Sequence, residues 1–248
     1  MDEVNPLLSD CQIVGADGGV SLSGLSSERV REIDAVLFDY GGVLTGPVKH
    51  SIAGWLAADA IELESFSRTL RAWLSRNAQD GTPVHRLETG ELTVAEFEVL
   101  LAAELQTTDG SAVAPHGILR RLFAGMQPDP AMFALAEDLR ATGLEVGLLS
   151  NSWGNTYPRA RIDALLDPVV ISGEVGLRKP HAAIYELALD RLGVPADRVL
   201  FIDDAEPNVL GACKVGLQAL LHIDHSSTRS ALSELVPDLN PHPTGVTA

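Results

Sequence analysis

The sequence predicts an α/β fold, with a Rossmann-like parallel sheet covered by helices on both faces and a helical segment inserted after the first strand. Three observations carry this expectation. Two apolar runs, Ala35-Val36-Leu37-Phe38 and Val199-Leu200-Phe201-Ile202, break on carboxylates and then on turn residues, at Asp39-Tyr40-Gly41-Gly42 and at Asp203-Asp204-Ala205-Glu206-Pro207. From Asp129 onward strand and helix signals alternate, as they do when helices cross between parallel strands. From about residue 50 to 125 that rhythm stops and only helical signals are found.

Taken in order, residues 1–33 are rich in Gly, Ser and Asp with little apolar periodicity, and read as a loose leader with a short helix at 27–33. Residues 34–49 hold the first strand and its turn. Residues 50–125 read as a helical cap. Residues 61–78 form one helical stretch. Thr93-Val94-Ala95-Glu96 is a capping-box sequence, and Leu92, Ala95, Val99 and Ala102 fall on one face of the helix that follows. Asp129-Pro130 offers an N-cap and a proline for the first turn of the next helix, which Gly143 closes. Residues 144–149 read as a strand ending at Ser150-Asn151-Ser152, and 169–171 as a short buried strand. Lys179-Pro180 is expected to open a helix ending near Gly193. A strand at 199–202, a helix at 206–215 and a strand at 217–223 complete a core of 34–49 plus 126–236. The proline-rich residues 237–248 read as a frayed tail.

Composition narrows the function. The 248 residues carry 18 basic and 34 acidic side chains, a formal charge of −16. That balance argues against nonspecific nucleic-acid binding, which needs a basic surface. The two cysteines, Cys11 and Cys213, are too few for a disulfide framework and lie in no metal-spaced cluster. Met1-Asp2-Glu3 lacks the basic start of a signal peptide, and no apolar run reaches the roughly 18 residues of a membrane span. A cytoplasmic protein with no membrane partner is the expectation. Oligomeric state is left open.

The chemistry is expected where the strands end, because ligands of open α/β sheets bind outside the carboxyl ends of the strands. Asp39, Ser150, Lys179 and the pair Asp203-Asp204 converge there. A carboxylate beside Mg²⁺ can attack phosphorus, and the hard cation takes oxygen ligands, one or two of them carboxylates. A lysine supplies a point charge and a serine a hydrogen bond.

These motifs, in this order and strand context, resemble the haloacid dehalogenase superfamily over about residues 36–221. The runs Ser172-Gly173-Glu174-Val175-Gly176-Leu177-Arg178-Lys179-Pro180 and Leu87-Glu88-Thr89-Gly90-Glu91-Leu92-Thr93 most resemble the subgroup that includes the N-terminal phosphatase domain of soluble epoxide hydrolases. The resemblance implies a Mg²⁺-dependent phosphatase of a small phosphorylated metabolite. Asp39 would be nucleophile and metal ligand, with the Gly41 carbonyl and Asp204 as further ligands and Asp203 in support. Ser150 and Asn151 would bind phosphate, and Lys179 would balance charge around Asp39 and the phosphate.

One position departs from the pattern. Phosphatases of this family carry a second aspartate two residues after the nucleophile, as general acid and base. This chain has Gly41 there. A leaving group that departs without a proton, such as an acyl phosphate or an anomeric sugar phosphate, would tolerate the loss best. His50 is a candidate replacement acid, whereas His181 is expected in solvent and Tyr40 and Cys213 in packing. Trp153 and Tyr157 fit either the site's mouth or packing. A dehalogenase-type hydrolase and a non-catalytic phosphate-ligand-binding or regulatory protein are the alternatives.

Overall fold

A computed structural model describes residues 13–14, 32–74, 81–154 and 157–239. Six parallel strands form one sheet: β1 (Ile13–Val14), β2 (Ala35–Phe38), β3 (Glu145–Ser150), β4 (Val169–Ile171), β5 (Val199–Asp203) and β6 (Gln218–Leu221), in the order β1-β6-β5-β2-β3-β4. The chain moves from β2 outward through β3 and β4, then returns to the other side of β2 with β5 and β6. The reversal point lies at β2 and β5, where such sheets place their ligands.

The strands are apolar on both sides because both faces are covered. Val36 and Phe38 of β2 pack with Met132, Phe133 and Leu139 of α6 (Pro130–Ala141) and with Leu232 of α11 (His225–Leu235). Ala35 and Leu37 face the other way, toward Ile184 and Tyr185 of α9 (Ala182–Leu192) and Val209 of α10 (Glu206–Lys214). The short helix α7 (Arg159–Leu165) and four-residue α8 (Ser172–Val175) flank β4.

Between β2 and α6 the chain builds a third hydrophobic cluster, separate from those on the two sheet faces, from α1 (Val48–Ala58), α2 (Leu63–Leu74), α3 (Pro83–Glu88), α4 (Val94–Glu104) and α5 (Ile118–Leu122). Trp55, Phe66, Val84, Phe97, Leu101 and Ile118 are buried together there. The two connections to the core run side by side: Gly46 N–H donates to Gln127 O at 3.0 Å and Asp129 N–H to Leu44 O at 2.9 Å.

Most expected elements are present, and the departures have identifiable causes. The capping box forms, with Thr93 N–H and hydroxyl both donating to Glu96. The buried face of α4, however, is Phe97 and Leu101, while Val99 is 57% exposed. The aromatic ring, anchored edge-on by Trp73 and Trp153, decides which stripe turns inward. The helix expected from Lys179 begins only at Ala182. Both backbone polar groups of Lys179 are taken by the Asn151 side chain, at 2.9 and 3.1 Å, which holds 179–180 in a turn. In the leader, Ile13–Val14 pair with β6 as an edge strand, a departure from the reading of 1–33 as loose. Glu32 and Ile33 lie outside any helix, Ile33 buried, and 27–31 of the helix expected at 27–33 lie outside the described residues. So do 75–78 of the second helical stretch and 240–248 of the tail. No helix among the described residues is long and apolar enough to cross a membrane.

Candidate active site

The strand ends meet at the reversal point. Asp39 follows Phe38, whose sheet partners are Leu148 and Ile202, and its N–H donates to Ile202 O at 2.8 Å. Asp39 is therefore level with Asp203. Lys179 reaches the same spot from the loop after α8 and is completely buried. Its ammonium donates to Asp203 Oδ2 at 2.6 Å and to Leu149 O at 2.9 Å, and it lies 2.8 Å from Asp39 Oδ1. An ammonium has three N–H groups, and these contacts use all three. Lys179 thus fixes one oxygen of Asp39 and brings a buried positive charge to the strand ends.

Burial drives the Lys179 ammonium toward neutrality, but Asp203 and Asp39 more than offset this and raise it above the ordinary lysine range. Asp39 is pushed up to about 7 by burial, against the pull of Lys179 and with added repulsion from Asp203 and Asp204. Asp204 leaves part of its surface to the crevice, yet enclosure of its carboxyl, with Asp203 adjacent, pushes it up to about 6. These shifts come first from burial, with negative charge crowded in one place adding to it.

That crowding fits a cation. Oxygens of Asp39, Asp203 and Asp204 lie within 4.8 Å of one another. Gly42 has φ +82°, a conformation that suits glycine, and a Cβ there would fall 2.3 Å from Asp204 Oδ2. The missing side chain is the space into which Asp204 turns. Asp203 is otherwise occupied: it accepts from Ala205 N–H at 2.8 Å and from the Asn208 amide at 3.1 Å as well as from Lys179. Asp39 and Asp204 are the carboxylates with room for a metal. Gly41 lies on the same wall.

Over this floor the cap partly covers a half-open cavity of about 550 Å³, lined by Asp39, Gly41, Asn151 and Asp204 below and by cap side chains above. Ser150 is buried and shares a hydrogen bond with the Tyr157 hydroxyl at 3.1 Å, one residue below the cavity wall. Burial pushes that phenol up to about 12. Asn151 lines the cavity with its amide committed to Lys179. His50 is exposed on α1 and is not among the cavity-lining residues; His85 and His181 are. Tyr40 packs on Tyr157 with ring centroids 4.7 Å apart, and Cys213 packs against the core but is also disulfide-bonded, which the expectation of a plain packing residue missed.

The charged cavity residues Glu88 and Arg178 had no role assigned from the sequence, and Trp153, expected at the mouth or in packing, does both. Glu88, at the end of α3, accepts from Arg178 Nε at 2.6 Å and from Trp153 Nε1 at 2.8 Å. Glu88 and Arg178 are 4% and 8% exposed, so a buried ion pair ties the cap to the loop that carries Lys179. Trp153 reaches from the core into the cap's aromatic cluster. The only signal in the sequence was that Glu88 and Arg178 stand in the two runs that carry the family resemblance.

A family model of haloacid dehalogenase-like hydrolases matches residues 33–216. The chain belongs to this family. Phosphatase MT3486 of Mycobacterium tuberculosis is 29% identical over 212 residues, covering 81% of this chain and 92% of that protein. Bifunctional epoxide hydrolase 2 of Sus scrofa is 26% identical over 216 residues, covering 81% of this chain but 38% of the longer relative. A haloacid dehalogenase-family enzyme of Bacteroides thetaiotaomicron, solved with magnesium and inorganic phosphate, superposes with a TM-score of 0.58 at 21% identity, over 77% of this chain and 94% of that one.

Proposed function

We propose that this haloacid dehalogenase-like hydrolase is a Mg²⁺-dependent phosphatase of a small phosphorylated metabolite, with Asp39 as nucleophile. The observation that carries the reading is the division of labour between the carboxylates. Lys179 holds Oδ1 of Asp39, which leaves Oδ2 for phosphorus, while Asp204 faces the cation position through the gap at Gly42. Asp39 and Asp204, with the Gly41 carbonyl, would hold the metal, which would neutralise charge on the phosphoryl oxygens. Asn151 positions Lys179 through both of its backbone polar groups, and Ser150 stands behind it at the end of β3. The phosphatase name of the mycobacterial relative supports the same reaction. Attack on carbon, as in a dehalogenase, would give Asp204 and its cradle no task.

The site offers no carboxyl at residue 41 to protonate the departing oxygen. The reading therefore includes a leaving group that departs as an anion. Phosphate release from acyl, aryl, alkyl and sugar phosphates, with and without Mg²⁺, tests it. Release that requires Mg²⁺ and is lost in Asp39→Asn is the expected result. Mg²⁺-independent release, or halide release from 2-haloacids, would overturn it.

A further inference from the structure

The cavity above Asp39 is larger than a phosphoryl group requires, at about 550 Å³, and lies within the usual range for sites that enclose a whole small molecule. Its far wall is built from the cap and its linker: Val48, Ile52, Leu70, Leu74, Phe123 and Met126. Several of the polar groups along the sides are engaged with one another, and His85 and His181 complete the polar part of the lining. The Asn151 amide is bonded to Lys179, the Asn208 amide to Asp203, and the Glu88 carboxylate to Arg178 and Trp153.

We propose that the organic part of the substrate is apolar and departs on a weakly basic oxygen, so that the substrate is an acyl or aryl phosphate with a hydrocarbon body. The proposal rests on the phosphatase reading and on two independent features, the apolar wall and the absence of a carboxyl at Gly41. A polyol placed against Ile52, Phe123 and Met126 would bury hydroxyls without partners, an arrangement that costs free energy for each one. A hydrocarbon gains by the same burial, at about fourfold in kcat/KM per methylene.

The chemistry balances without a general acid in the first step. Asp39 Oδ2 forms a bond to phosphorus as the bond from phosphorus to the leaving oxygen breaks, and that oxygen keeps the electron pair as a carboxylate or phenolate. Water then attacks phosphorus and the bond to Asp39 breaks. The carboxylate is restored, and the water's protons divide between inorganic phosphate and solvent. The body of the leaving group stays against the cap wall until it dissociates.

The test uses the full chain with Mg²⁺ and three substrate series: straight-chain acyl phosphates from acetyl to octanoyl, phenyl phosphates bearing alkyl groups of increasing length, and anomeric sugar phosphates. The expected result is kcat/KM rising about fourfold per methylene over the first few carbons, with sugar phosphates at least about a hundredfold below octanoyl phosphate. The first two series separate the acyl from the aryl source by their relative rates. Ile52→Asn, which places a polar group on the wall, is expected to flatten the dependence on chain length. A flat dependence in the wild type alongside clear acetyl phosphate hydrolysis would overturn this proposal and leave the phosphatase reading standing. So would a sugar phosphate that outperforms the longest acyl chain. Release from none of the compounds would overturn both.

Discussion

Placing a carboxyl at residue 41 tests what the glycine there does. Gly41 has φ −72° and ψ 117°, ordinary values for any L-residue. A Cβ at this position would find its nearest neighbour, Val48 Cγ2, at 3.8 Å, an ordinary contact. The residue also lines the cavity. Gly41→Asp should therefore fold, and the loss of glycine's unfolded-state freedom contributes about 0.4–1 kcal/mol of stability where the native conformation is compatible. A positioned general acid is commonly worth about 10²–10⁴-fold, or about 2.7–5.4 kcal/mol of barrier. The gain depends on how much the leaving oxygen needs a proton. For alkyl phosphates, kcat/KM with Mg²⁺ should rise at least about a hundredfold, while acyl phosphates gain less than about tenfold. Steady-state phosphate release with both classes, alongside a melting curve, measures this. A folded Gly41→Asp protein with equal gains for both classes, or none for alkyl phosphates, would refute the argument that the missing acid selects the leaving group.

Gly42 is the opposite case. Gly42→Ala meets both a positive φ, costing about 1–2 kcal/mol, and the Asp204 carboxylate at 2.3 Å from the new Cβ. It should cost Mg²⁺ affinity by calorimetry, and unchanged affinity would contradict the cradle. The crowded carboxylates predict a pH effect whose sign follows from their raised values. Between an unfolded value near 4 and folded values of about 7 for Asp39 and about 6 for Asp204, the native state binds more protons than the unfolded one. Their contribution to metal-free stability therefore falls as pH rises through that window and is at its worst above about 7, where Mg²⁺ should restore it. Mg²⁺ affinity should fall about tenfold per unit from pH 7 to 6 and more steeply below, where two protons must leave. Mg²⁺-induced melting shifts that are equal at pH 5 and 8 would sink this account. Finally, Glu88→Ala leaves Arg178 charged and buried without its partner, a change worth about 3–5 kcal/mol, or roughly 6–20 °C in melting temperature. Removing both charges with Glu88→Gln and Arg178→Met should recover part of that loss.

The legibility of the sequence followed the range of the interactions. Strands such as 35–38 and 199–203 were visible because burial on both faces leaves an unbroken apolar run that must end in polar turn residues. The capping box at Thr93 and the N-cap at Asp129 were visible because each is a local hydrogen bond between near neighbours. The inward face of α4 was hidden, since Phe97 is selected by Trp73 and Trp153 from distant parts of the chain. The start of α9 was misplaced because Asn151, 28 positions upstream, holds the backbone of Lys179. The site's carboxylates and lysine were legible as strand-end residues, and the sheet register brings them together. The Glu88–Arg178 pair was not, because its partners are 90 positions apart and nothing in either segment alone indicates the other. Gly41 and Gly42 look alike in sequence, and only their backbone angles separate the tolerant position from the required one.

The central claim is that Asp39 takes the phosphoryl group, and trapping that intermediate tests it most directly. The protein with Mg²⁺ and an acyl phosphate would be quenched in acid within a turnover, digested, and the peptides weighed. The account predicts one phosphoryl group on the peptide carrying Asp39, absent without Mg²⁺ and absent in Asp39→Asn. Turnover with no phosphoryl group on that peptide, or with Asp39→Asn still active, would contradict it.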